Sequence, residues 1–95
     1  MLDEGKLRRD KRRGLQSRAL LDSEMMQEAF RQLEADYIKA WGSTDHSLVE
    51  ARENLWRATQ ILGGVRRHLL KVAQNGKLAE KQLDDLENKF RPRAA

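Results

Sequence analysis

Cysteine is absent from the 95 residues, which removes disulfide staples, thiolate zinc centres and thiol nucleophiles and makes a cytosolic setting the default. Proline occurs once and glycine six times, too seldom for a fold built of turns. Aromatic residues are 5% of the chain, and a chain this short buries a small share of its surface, so the core is expected to be modest. No apolar run approaches the ~20 residues of a membrane-crossing helix, and no apolar stretch follows the N-terminal charges as in a signal peptide. These absences predict a cytoplasmic protein with no membrane partner.

Catalytic patterns are missing as well. The glycines do not sit between a strand and a helix, as a phosphate-binding loop requires. His46 and His68 lie 22 residues apart, and neither has the i, i+4 partner that would set two imidazoles on one metal. Glu80, Asp84, Asp85 and Glu87 alternate with Lys77, Lys81 and Lys89, the pattern of a solvated helix with i, i+4 pairs. The sequence therefore names no catalytic, cofactor-binding or metal-binding residue, no cofactor and no small-molecule substrate, and the expectation is a non-enzymatic protein.

What the chain has in quantity is helical periodicity. Met26, Phe30, Leu33, Tyr37 and Ala40 recur at three- and four-residue steps and predict a helix over 23–41, with Asp22 as its cap and Gly42 as a left-handed stop. Ser47 and Glu50 have capping-box spacing and open a second helix, 47–74. Along it Leu48, Ala51, Leu55, Ala58, Leu62, Val65, Leu69 and Val72 form a coiled-coil-like seam, with leucine at every seventh position. Asn75-Gly76 is expected to end this helix. A third, shorter one, 78–90, carries Ala79, Leu83, Leu86 and Phe90 before Pro92.

The fold class is thus all-α: an antiparallel helical hairpin with a third, shorter C-terminal helix in a small three-helix bundle. The bundle is expected over 19–91 and a tail over 92–95. Residues 1–18 hold seven Lys or Arg against three acids, equal to the whole net charge of +4. With Gly5, Gly14 and few apolar residues besides Leu2, Leu7 and Leu15, the segment reads as a basic arm, flexible or conditionally helical.

Three groups of residues are candidates for contact with partners. In the arm, Lys6, Arg8, Arg9, Lys11, Arg12 and Arg13 suit nucleic-acid phosphates or an acidic partner, diluted by Asp3, Glu4 and Asp10. Arg66, Arg67 and Lys71 are a second basic spot, too small to act alone. Trp56 flanks the seam and reads as a half-exposed anchor for a protein partner, whereas Trp41 is expected in the core. Gly63-Gly64 sit inside the second helix, where each costs about 0.5–1 kcal/mol against alanine. Two readings stand for them, a tolerated weak point and a place where another helix, from a second subunit, approaches too closely for a side chain.

Leu20-Leu21-Asp22, Ala29-Phe30-Arg31-Gln32-Leu33-Glu34, Tyr37-Ile38-Lys39-Ala40-Trp41, Arg52-Glu53-Asn54-Leu55-Trp56 and Asn75-Gly76-Lys77-Leu78-Ala79 together resemble segments of small uncharacterised all-helical proteins of tailed phages and prophages. The resemblance covers about two thirds of the chain and implies a viral context, without an activity for any named position. Three functions are weighed: an assembly protein that self-associates or docks on a protein partner, a nucleic-acid-binding packaging or regulatory accessory, and a small inhibitor of a host protein. The seam and the paired glycines favour the first.

Overall fold

The computed structural model describes residues 3–90, so Leu2 and the expected tail, 92–95, lie outside it. The described chain is all-helical, with α1 over Glu4–Asp22, α2 over Glu24–Ser43 and α3 over Val49–Phe90, and no strand. Contacts group the chain into two units, one of residues up to Ala19 with those from Leu69 onward, the other of Leu20–His68. The span 19–91 expected as one bundle takes residues from both units.

In the first unit, the segment expected as a flexible or conditional arm is helix α1. Asp3 starts it, its side chain accepting from Lys6 N at 3.1 Å and its carbonyl from Leu7 N at 3.0 Å, with Glu4 at the positive end of the dipole. One face of α1 is then buried through Leu7, Gly14 and Ser17. Opposite them on α3 lie Ala73, Gly76 and Ala79, buried at three-residue spacing. The pairing runs in opposite directions along the two helices: the Ser17 hydroxyl donates to the Leu69 carbonyl at 2.6 Å, and Gly14 meets Gly76.

Gly14 and Gly76 are in backbone-to-backbone contact. A β-carbon built on either would stand 2.5 Å from the other's Cα, a distance no real side chain tolerates. This packing explains why α3 does not stop at Asn75-Gly76. A glycine that costs the helix its propensity is here the residue that admits α1, and tertiary contact overrides local preference.

The second unit contains the whole of α2 and α3 up to His68. Ser23 alone separates α1 from α2, and its Oγ accepts from Met26 N at 3.3 Å, so the cap stands one residue beyond the expected Asp22. At the other end α2 runs through Gly42, and no glycine among the described residues has positive φ. Side chains do the capping instead. Ser43 and Thr44 hydroxyls donate to the carbonyls of Lys39 and Ala40, each at 2.6 Å, and Arg52 Nη1 donates to that of Trp41 at 2.9 Å. The last carbonyls of α2 are thereby satisfied without a left-handed residue.

The turn that follows is held by Asp45, whose carboxylate accepts from Ser47 N at 2.8 Å and whose carbonyl accepts from Leu48 N at 2.9 Å. Helix α3 consequently starts at Val49, two residues later than the capping box predicts, and Leu48 is 56% exposed. Of the leucine seam, Leu55 and Leu62 are half-buried in this unit and Leu69 in the other; Leu48 lies outside the helix. Phe30 is the buried residue of α2, with the Arg66 guanidinium 5.0 Å from its ring centre.

Candidate functional site

Because no large side chain among the described residues is fully buried, apolar area stays on the surface. Thirteen large hydrophobic residues among those described are exposed, Met25, Ile61, Leu15 and Val49 included. Two clefts collect part of this area together with charge.

The first cleft lies between α1 and the C-terminal end of α3. Leu15, 59% exposed, with the half-buried Leu83 and Leu86, supplies its apolar part. Its two walls carry opposite charge. Arg8, Lys11 and Arg12 stand on α1 together with Glu4, which pairs with Arg8 at 3.6 Å, while Asp84 and Glu87 stand on α3. Of the four acids that alternate with lysines in the sequence, Asp84 and Glu87 stand on this wall, and Glu80 and Asp85 do not line the cleft. Sequence reading misses this site because it treats 1–18 as a separate arm. The recoverable signal is the match of small residues, Gly14 and Ser17 on one segment and Ala73, Gly76 and Ala79 on the other.

The second cleft joins Trp41 and Trp56 with His46, Val49, Arg52 and Glu53. Trp41, expected in the core, is 42% exposed, because Arg52 takes the packing position against it. The guanidinium lies 4.0 Å from the ring centre of Trp41 and donates to the carbonyls of Trp41 and Thr44 at 2.9 and 2.8 Å. Arg52 is a fixed floor, and Trp56, 58% exposed, is the available ring. Beside this cleft, hydrogen bonds from the Ser47 backbone and hydroxyl hold the Asp45 carboxyl below its usual range, with Arg52 acting in the same direction and burial opposing.

The remaining candidates separate. Arg66 is engaged on Phe30, and the Arg67 guanidinium lies alongside Gly63 and Gly64, so the second basic spot covers local surface. At Gly63 and Gly64 a β-carbon would meet only that guanidinium within 4 Å, at 3.2 and 3.7 Å, among the described residues. Within the chain, a glycine-mediated close approach of helices is found at Gly14 and Gly76. Lys6, Arg9 and Arg13 are exposed on α1. Among the described residues there is no group of three or more His, Asp or Glu placed to hold a metal, and no helix is long and apolar enough to cross a membrane.

No family model, curated protein or solved structure matches the chain.

Proposed function

We propose that this protein is a non-enzymatic helical assembly module, and that it self-associates by seating a second copy on the cleft between α1 and the end of α3. The observation that carries this reading is the pairing of opposite walls across an apolar strip: Arg8, Lys11 and Arg12 on one side, Asp84 and Glu87 on the other, with Leu15, Leu83 and Leu86 between. Such a face is complementary to itself. A two-fold axis running along the helices lays α1 of one copy over α3 of the next, so cations meet acids twice in a closed, isologous contact. The α2 and α3 segments belong to the same reading as an antiparallel hairpin, for which Trp41 against Arg52 and Phe30 against Arg66 are the supporting pairs. The resemblance to phage proteins supplies a setting, a virion or its assembly pathway.

Sedimentation of the full chain over a concentration series tests the proposal. The expected result is a monomer–dimer equilibrium that salt weakens, that Leu15→Glu shifts to monomer and that Arg12→Glu also shifts to monomer. Adding Asp84→Arg to Arg12→Glu exchanges the walls and restores the dimer. A chain that stays monomeric at every concentration in low salt removes this function. A second reading, docking of a different protein, rests on Trp56, whose exposed ring sits over a floor fixed by Arg52.

A further inference from the structure

Folding of α1 changes the meaning of its charges. At 100° per residue, Leu7, Asp10, Gly14 and Ser17 fall on the side that meets α3, Arg9, Arg12 and Gln16 fall on the opposite side, and Arg13 lies on the flank between them. Asp10, which dilutes the basic run when it is read as a string, is half-buried beside Asn75, Leu78 and Ala79. Glu4 is paired with Arg8. Arg9, Arg12 and Arg13 are all exposed, and among the described residues none of the three stands in an ion pair. The helix has turned a mixed sequence into an exposed ridge of guanidinium groups, with Asp10 turned toward α3 and Arg12 at the edge of the cleft that Asp84 and Glu87 also line. Its backbone is held in place from behind by the Gly14–Gly76 contact.

We infer that this outer ridge of α1 is a binding surface for the sugar–phosphate backbone of double-stranded nucleic acid. Guanidinium groups bind phosphate oxygens in pairs, and three of them on one rigid helix lose little freedom when they do so. A duplex is favoured over a single strand because α1 contains no aromatic residue on which unpaired bases could stack. A lipid surface is disfavoured because Gly5 and Gln16 neighbour the ridge, Leu7 is buried, Leu15 belongs to the cleft, and Leu20, 44% exposed near the end of α1, is too little apolar surface to anchor the helix. With no base-reading group beside the arginines, the binding is expected to be independent of sequence. Arg12 also lines the cleft, so Arg9 and Arg13, which line neither wall, are the residues that separate this inference from self-association.

Fluorescence anisotropy with a labelled DNA duplex of arbitrary sequence, titrated with the full chain at several salt concentrations, tests it. Binding is expected at low salt, with log K falling linearly in log salt. The exposed double variant Arg9→Ala, Arg13→Ala should bind more weakly, with a slope smaller by about 2, one for each phosphate left without its guanidinium. Arg9→Lys, Arg13→Lys should keep the slope and lose part of the affinity. The control Arg31→Ala, Lys39→Ala removes two charges from α2 and should bind as the unchanged chain does. The inference is overturned by absent binding at low salt, by equal losses in the control and the Arg9, Arg13 variant, or by equal affinity for polyglutamate or for phosphatidylserine vesicles.

Discussion

Glycine has three different meanings in this chain, and substitution by alanine separates them. At Gly14 or Gly76 the added methyl would collide with backbone 2.5 Å away, so one of the helices must move. Overpacking of that kind costs about 1–3 kcal/mol, more than the gain in helix propensity returns. Gly64, where a methyl would meet only the end of Arg67 at an ordinary 3.7 Å, and Gly42, where it would meet nothing within 4 Å, should each gain about 0.5–1 kcal/mol as alanine. Thermal or urea unfolding of the four single variants checks this ordering; a Gly14→Ala protein as stable as the parent would show that the helices have room to part at their crossing. Ser17 belongs with Gly14, because a small side chain that also returns its hydroxyl to Leu69 is what the crossing admits.

At the scale of elements, helix ends are set by side chains two to eleven residues away. Ser23 is the cap that divides α1 from α2, and Ser23→Ala should cost about 1 kcal/mol by unfolding. Asp45 organises the turn into α3, and its carboxyl is held below the usual aspartate range in the folded chain. A carboxylate with a lowered folded value adds stability above the unfolded value, about 3.9, and loses it as pH falls through the folded one. A carboxyl-detected NMR titration should therefore place the Asp45 midpoint below that of an unstructured peptide, and a midpoint at the peptide value would count against the turn. Much of this level is legible in the sequence. The apolar stripe of α2 through Met26, Phe30, Tyr37 and Ala40 is half-buried or buried as its spacing predicts, although Leu33 is exposed. The errors cluster where a residue with strong local preference is overruled from afar. Gly42 is bypassed by the hydroxyls of Ser43 and Thr44, and Gly76 is carried through by α1. The basic arm does not read as a helix because its buried face includes Gly14 and Ser17, which add nothing to a hydrophobic pattern.

For the whole molecule, the half-buried part of the seam gives one direct test, Leu48, Ala51 and Val65 being exposed. Leu62 lies on it in the Leu20–His68 unit, and Leu62→Asp should lower the melting temperature sharply by setting an unpaired charge there. Unchanged melting would mean that the seam contributes little. Of the two proposed surfaces, the cleft is illegible in the sequence, since it needs α1 and the end of α3 to be brought together, whereas the arginines of the other are named there and only the inward turn of Asp10 is not. The Ser17–Leu69 bond also dictates an order of events. Trp41 finds Arg52 after a span of 11 residues, whereas Ser17 must close one of 52. The longer closure costs about 1.4 kcal/mol more in chain entropy, and its reward is a meeting of small side chains. On a ribosome, α1 leaves the exit tunnel well ahead of the strip of α3 that shelters its inner side. Until that strip emerges, the basic helix has no lodging, and a nascent chain should expose it to proteases long after the segment around Trp41 has become resistant.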